Sequence, residues 1–377
     1  MRPTKLIGRA LILLTLIAVG YVYWRGHSGA VIRRADIERA TVPARLKGTH
    51  PCVFADITTD AAMKPALGEC ATPTEHHGSQ ERAEVDLRYG AFVLRQTDLL
   101  VKGKVEIPLA RAYSSSAPPY PLAFGFNSNH QYDAAPLGSR FPYTWVKLML
   151  EDNDFLYYKR ISSGTGYKDA VYLHTETSTR FYKSTFAWNG NGWTLRLADG
   201  SEMTFPEAYE AKNLAQGAAL QITDAAGNKL VLQRDQDRNL QQVLSPDGHW
   251  IRFTCDDQAR IVRAEDNDGD SVRYLYNFDG MLVSAIRSSG ADRTYNYDFR
   301  LMTSVTDEHG RVLVRNSYKD GILAKQIYAN GDVYTYAYDW TPGKSFANSV
   351  VITLPDGSQK RIDVAPFVPD SLRNPEQ

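Results

Sequence analysis

In the second half of the chain, apolar and polar residues alternate one for one over short stretches, and the stretches recur at a fixed interval. Ile251, Phe253 and Cys255 are separated by Arg252 and Thr254; Val272, Tyr274 and Tyr276 form the next set. Tyr295 and Tyr297 follow Arg293 in the same way, and Tyr334, Tyr336 and Tyr338 close the series. Period-two alternation of β-branched and aromatic residues predicts strands with one buried face. Each stretch starts three residues after a glycine. Gly227, Gly248, Gly269, Gly290, Gly310 and Gly331 stand at intervals of 21, 21, 21, 20 and 21 residues. They end turn-forming runs such as Asp224-Ala225-Ala226-Gly227 and Pro246-Asp247-Gly248. Glycine supplies the positive φ that a tight turn between strands demands. A second turn follows each strand, clearest at Phe278-Asp279-Gly280 and Lys319-Asp320-Gly321. Return strands are then predicted over Leu240 to Leu244, Arg260 to Ala264, Leu282 to Ile286 and Leu323 to Ile327. No helical period intervenes. A fixed period of this size marks a stacked-repeat architecture, here an all-β array of hairpins.

Two of the strands, at Tyr297-Asp298 and Tyr338-Asp339, end on a Tyr-Asp pair, and Tyr276-Asn277 is a near copy. With the Asp-Gly turns and the 21-residue interval, the array resembles the YD repeats of the RHS (rearrangement hotspot) family. Upstream, the run from Tyr89 to Leu99 (YGAFVLRQTDL) and the run from Leu109 to Ser115 (LARAYSS) are similar to the domain that precedes the repeats in that family. The chain departs from the family at Phe124-Gly125-Phe126-Asn127-Ser128, followed by Gln131-Tyr132-Asp133, where a second glycine and a tryptophan are usual. The resemblance covers roughly residues 85 to 365. It implies an RHS-type N-terminal β domain over 85–220 and YD repeats over 221–365 that curl into a partial shell. Long arrays of the family form a hollow shell around a C-terminal toxin or other cargo, released by a self-cleavage segment; neither is visible in this sequence. Six repeats of two strands would span about 58 Å at about 4.8 Å per strand, and a closed ring of that girth is only about 18 Å across. No folded toxin fits there. The array is therefore expected to be curled, with the upstream strands extending or capping one end.

Lys plus Arg and Asp plus Glu both number 43, without long blocks of either sign. Phosphate binding needs a basic face, so nucleic acid is not an expected partner. Leu6 to Trp24 is apolar except for Arg9 and Thr15, and as a helix it would reach about 28 Å, close to the bilayer's hydrocarbon thickness. Tyr21, Tyr23 and Trp24 gather at one end, where aromatic rings favour the membrane interface. A single transmembrane anchor over 6–24 is expected, within a segment 1–25, with the bulk of the chain periplasmic or extracellular. A cleaved signal peptide ending at Ala18-Val19-Gly20 is the rival reading. Residues 26–84 read as a stalk, and 366–377 as a tail. Cys52 and Cys70 bracket a 17-residue loop, which a disulfide would stabilise by about 3 kcal/mol in the chain-entropy model; two free thiols are the alternative.

Candidate chemistry is sparse. Cys255 is the odd cysteine of three, but it occupies the position held by Tyr276, Tyr297 and Tyr338 in their repeats, so it reads as a packing residue. Glu265-Asp266-Asn267-Asp268-Gly269-Asp270 and Glu151-Asp152-Asn153-Asp154 look like calcium loops but lack the ligand spacing, and both read as solvated turns. His76-His77 has no partners at metal-ligand spacing. No nucleophile elbow, phosphate loop, dinucleotide fingerprint or zinc-protease motif occurs. No catalytic residue, cofactor or metal is expected. Three functional readings follow: a non-catalytic surface scaffold that binds a protein or carbohydrate, a relic or partner of an RHS toxin-delivery system, and a carbohydrate-active enzyme. The first is favoured.

Overall fold

The computed structural model describes residues 50–58, 65–70, 81–117, 120–177 and 179–364. They form two main antiparallel sheets, one wrapped around the other, and a two-stranded hairpin. The smaller has six strands. Five of them are β1 (His50–Asp56), β2 (Ala66–Cys70), β3 (Glu81–Asp86), β4 (Ala91–Val101) and β5 (Ile107–Ser114), in the order β2-β1-β3-β4-β5, and Ser128–His130 is added to the free edge of β5. Alternation would normally leave one face of such a strand wet. In β4 every residue is buried except the half-buried Leu100, so both faces of the sheet are covered.

The cover is the large sheet. It runs through 21 strands in chain order, from Ala135–Gly138 to Gln359–Asp363, and closes as a barrel. Neighbouring strands are joined by antiparallel pairing from Ala135–Gly138 round to Gln359–Asp363, and several of the ladders are interrupted by bulges. The strand count exceeds the dozen expected from the repeats because the preceding region adds hairpins of its own. The sheet passes without a break across residue 220, through the ladders that join Glu202–Pro206, Gln221–Thr223 and Lys229–Arg234. The girth is correspondingly larger, and the upstream strands fill the barrel instead of capping it.

The described parts of the segment read as a stalk, 50–58, 65–70 and 81–84, belong to the inner sheet instead. From His50 onward the segment contributes β1, β2 and β3 to the inner sheet, with Val53, Ala55, Ile57, Ala83 and Val85 at 0–1% exposure. Its apolar residues are few and small, so composition alone makes it look polar. Residues 1–49, including the proposed span at 6–24, and the tail 366–377 lie outside the described residues, as does His76-His77. Among the described residues no helix is long and apolar enough to cross a membrane.

Within each repeat the two turns work differently. At the glycine turn, the N–H of Gly227, Gly248, Gly269, Gly290, Gly310 or Gly331 donates to the carbonyl three residues earlier, at 2.9–3.4 Å. All six have φ between +79° and +96°, and a Cβ there would meet no atom within 4 Å. Backbone conformation alone, not space, selects glycine.

The other turn shows what the repeat tyrosine does. A bulge falls just before the residue seven after the glycine, between Thr254/Cys255, Leu275/Tyr276 and Asn296/Tyr297. A bulge re-aims the side chain that follows it. Tyr276 Oη thereby donates to the carbonyl of Ile261 at 2.6 Å, and Tyr297 Oη to that of Leu282 at 2.7 Å. Tyr318 does the same to Met302 at 2.9 Å. Each hydroxyl ties its hairpin to the return strand of the preceding one. The neighbouring acid or amide closes the turn: Asp256 Oδ1 accepts the N–H groups of Gln258 (3.0 Å) and Arg260 (2.9 Å), and Asn277 Oδ1 accepts that of Met281 (2.8 Å). In the first repeat Arg234 replaces the tyrosine and reaches Ala219 O, fifteen residues back, at 3.0 Å. Cys255 has no such arm and packs half-buried against the core, and the Tyr338 hydroxyl is buried without a hydrogen-bond partner among the described residues.

Removing one stitch should cost about 1 kcal/mol, the net worth of a typical hydrogen bond. Tyr297→Phe is therefore expected to lower the urea midpoint modestly without changing the slope. Cys255→Tyr is expected to fold and to be at least as stable as the parent. Loss of folded protein on that substitution would show that the site has no room for the ring.

Candidate functional site

The inner sheet meets the barrel through charge. Arg111 on β5 is 2% exposed, and its Nε donates to Asp98 Oδ2 of β4 at 2.8 Å. Its Nη2 reaches Gln96 Oε1 (2.7 Å) and the Tyr295 hydroxyl (3.0 Å). From the barrel, Tyr274 Oη donates to Asp98 at 2.8 Å and Tyr295 Oη to Gln96 at 2.5 Å. Arg287 spans Asp98 (2.8 Å) and Glu81 (3.2 Å), while Arg293 spans Glu81 (2.8 Å) and Glu308 (2.6 Å). Three guanidinium groups thus face three carboxylates. Burial by itself would push the Asp98 carboxyl upward; Arg111 and Arg287 outweigh it and hold it below the usual carboxylate range. Each charge is matched, as burial requires.

A second ionic cluster lies where the inner sheet meets the turn at 150–154. Arg95 binds Glu84 (3.0 Å) and Asp152 (2.6 Å), and Arg88 binds Asp86 (2.7 Å) and Asp154 (2.6 Å). Glu151, 3% exposed, is the surplus acid. Burial, reinforced by the Asp152 charge, raises its pKa well above the ordinary carboxylate range. The run Glu151-Asp152-Asn153-Asp154, read from sequence as a solvated turn, is in fact tied inward by these arginines. The other acidic run keeps its role: Asp266 caps the turn by accepting the N–H groups of Asp268 and Asp270, both at 2.9 Å.

The aromatic positions named from the sequence separate by depth. Tyr274, Tyr295, Tyr334 and Tyr336 are buried toward the inner sheet, and Tyr276, Tyr297 and Tyr338 are half-buried against the core. Tyr334 Oη reaches the Pro65 carbonyl at 3.0 Å, and Tyr336 Oη reaches Gln326 at 2.9 Å. The four buried rings offer no free face for stacking a ligand.

Cys52 is disulfide-bonded and Cys255 is free; the side chain of Cys70 lies outside the described residues. Burial, with Asp235, Asp256 and Asp133 adding negative charge, pushes the Cys255 thiol up to about 11. A nucleophile needs the opposite shift. Among the described residues no group of three His, Cys, Asp or Glu side chains is placed to hold a metal. A crevice lined by Arg140, Tyr143, Tyr172, Phe186 and Trp193 encloses only about 20 Å³, room for a water molecule.

The sequence reading did not find the two ionic clusters. Arg95, Gln96, Asp98 and Arg111 stood in the RHS-like runs, and charges of both signs inside otherwise apolar strands were the available signal.

No protein-family model matches the chain. Over 114 residues it is 31% identical to Teneurin-m of Drosophila melanogaster, a match covering 30% of this chain and 4% of that protein. The structure of TcdB2-TccC3 matches 76% of this chain and 20% of its own at 14% identity, with a TM-score of 0.30. The Photorhabdus luminescens Tc holotoxin pore covers 76% of this chain and 19% of its own at 12% identity, with a TM-score of 0.25. The chain therefore spans a small fraction of Teneurin-m and about a fifth of each Tc chain. The sequence match to Teneurin-m, a YD-repeat protein, supports an RHS/YD-like, β-rich class.

Two outcomes follow from the ionic clusters. Asp98→Ala leaves Arg111 and Arg287 short of a counter-charge and is expected to cost about 3–5 kcal/mol in urea unfolding. Glu151 binds its proton more tightly folded than unfolded, so its presence erodes stability as pH rises above the ordinary carboxylate range. Asp98 acts oppositely, contributing stability above that range and losing it as pH falls through its lowered pKa. Urea midpoints at pH 5 and pH 8 should converge in Glu151→Gln relative to the parent. An unchanged pH dependence would place the titration elsewhere.

Proposed function

We propose that this chain is a non-catalytic, membrane-anchored, extracytoplasmic scaffold of the RHS/YD-repeat type that acts by binding a protein or carbohydrate through its outer surface and rims. One observation carries this reading: the barrel interior is occupied by the chain's own six-stranded sheet, fixed in place by the Arg111–Asp98–Arg287 network. A barrel filled by its own chain supports this reading over a container for cargo. Asp98, Glu81, Glu84 and Asp152 are paired with arginines, and the free cysteine is deactivated by burial and neighbouring carboxylates. Those facts support a scaffold over an enzyme. The neutral charge balance supports a partner other than nucleic acid. The anchor rests on the length and aromatic end of residues 6–24, and the Cys52–Cys70 bond on export to an oxidising compartment.

Mass spectrometry of the protein extracted from membranes tests the anchor. An intact N-terminal segment is expected; a mature N-terminus at Tyr21 would establish a cleaved signal and remove the tether. In the same unreduced preparation, maleimide should label neither Cys52 nor Cys70, and Cys255 only slowly.

A further inference from the structure

The barrel has two rims, one made by the glycine turns and one by the Tyr-Asp turns. On the Tyr-Asp rim, Phe278 and Phe299 are 105% and 78% exposed, the two most exposed large apolar residues described. They stand nine residues after Gly269 and Gly290, on adjacent hairpins. The repeat does not ask for phenylalanine there, since Gln236 and Asp257 hold the same place in the preceding copies. Phe299 also takes φ +54°, a left-handed conformation that a bulky side chain adopts at a cost. Both rings project into solvent from the tips of their turns.

They do not stand alone. The hairpin Pro121–Leu122/Gly125–Phe126 is held beside the Phe278 turn by the Phe126 N–H bond to Gly280 O, 3.1 Å. Arg300 lies over the Phe126 ring at 3.8 Å and near the Phe299 ring at 5.4 Å. Tyr120, 39% exposed, precedes that hairpin. The described chain also begins on this rim. Cys52 pairs with Asp86, next to Arg88 and Gly90, whose carbonyls accept Ala347 and Leu323 N–H on the side of the Tyr-Asp turns.

We propose that the Tyr-Asp rim is a membrane-facing surface, with Phe278 and Phe299 entering the interfacial layer of a bilayer. This rests on the anchor reading above for its orientation. Exposed turn-tip aromatics suit the headgroup boundary. Asp257, Asp279, Asp298 and Asp320 are exposed on these turns and outnumber the exposed Arg238 and Lys319, so the fitting surface is zwitterionic, and anionic lipid should weaken the contact.

The test uses the full chain in phosphatidylcholine vesicles, with photoreactive p-benzoylphenylalanine at position 278, at 299, or at 309. His309, in the turn of the opposite rim, has an 81% exposed side chain and serves as control. Lipid adducts at 278 and 299 are expected at several times the yield at 309, and to fall when phosphatidylglycerol replaces half of the lipid. Alkaline carbonate extraction of the same vesicles reports the anchor separately. Should carbonate release the protein, the anchor reading fails, and the released chain mixed with fresh vesicles still decides the rim. Adduct yields at 278 and 299 no higher than at 309, or adducts to a second protein chain instead of lipid, overturn the proposal.

Discussion

The architecture depends on the pairing of Arg111 with Asp98 inside a closed barrel. Two sheets that touched only through apolar side chains could slide or rotate against each other at little cost, because such contacts are non-directional. A guanidinium fixed by a carboxylate, an amide and a tyrosine hydroxyl cannot. The two barrel groups that complete the set, Tyr274 and Arg287, belong to neighbouring strands, so the network pins both strands to one position over β4 and β5. Once that contact is made, removing any partner strands a buried charge, which makes the assembled state a single arrangement.

Outside the ionic network, the repeat solves a mechanical problem. A meander of hairpins is tied along each ladder, yet nothing in the backbone couples the tilt of one hairpin to the next. The tyrosine seven after the glycine supplies that coupling, because the bulge before it turns the ring across the sheet to a carbonyl in the preceding hairpin. Its acidic or amide neighbour holds the turn that follows. In Tyr276-Asn277 two adjacent residues thus serve two strands. Where Arg234 takes the tyrosine's place the reach survives with different chemistry.

The array was legible in the sequence. Strand alternation, glycine spacing and the Tyr-Asp pairs are local signals, and the strands fall where they place them, Leu240–Leu244 among them. What escaped was non-local. Val53, Ala55 and Ala83 are small enough to vanish in a composition average, yet they pack at the centre of the molecule. Glu84, Arg95 and Arg111 look like ordinary charged residues until a second sheet covers them. The exposed rings of Phe278 and Phe299 were equally hidden, because alternation says which face is buried and nothing about the tips of turns.

The strand number itself has a physical reading. Six strands at about 4.8 Å spacing make an inner sheet about 24 Å wide, and covering both faces at about 10 Å each gives an envelope about 20 Å deep. A flattened ring around that section measures about 88 Å. Twenty-one strands at the same spacing supply about 101 Å, which is enough to wrap the inner sheet once and not enough to leave a second compartment. Twelve strands could not have done it, and so the region ahead of the repeats must contribute to the wall as well as to the filling. The chain uses its N-terminal third as the form around which its own repeats close, and the lumen that a longer array would leave open is never made.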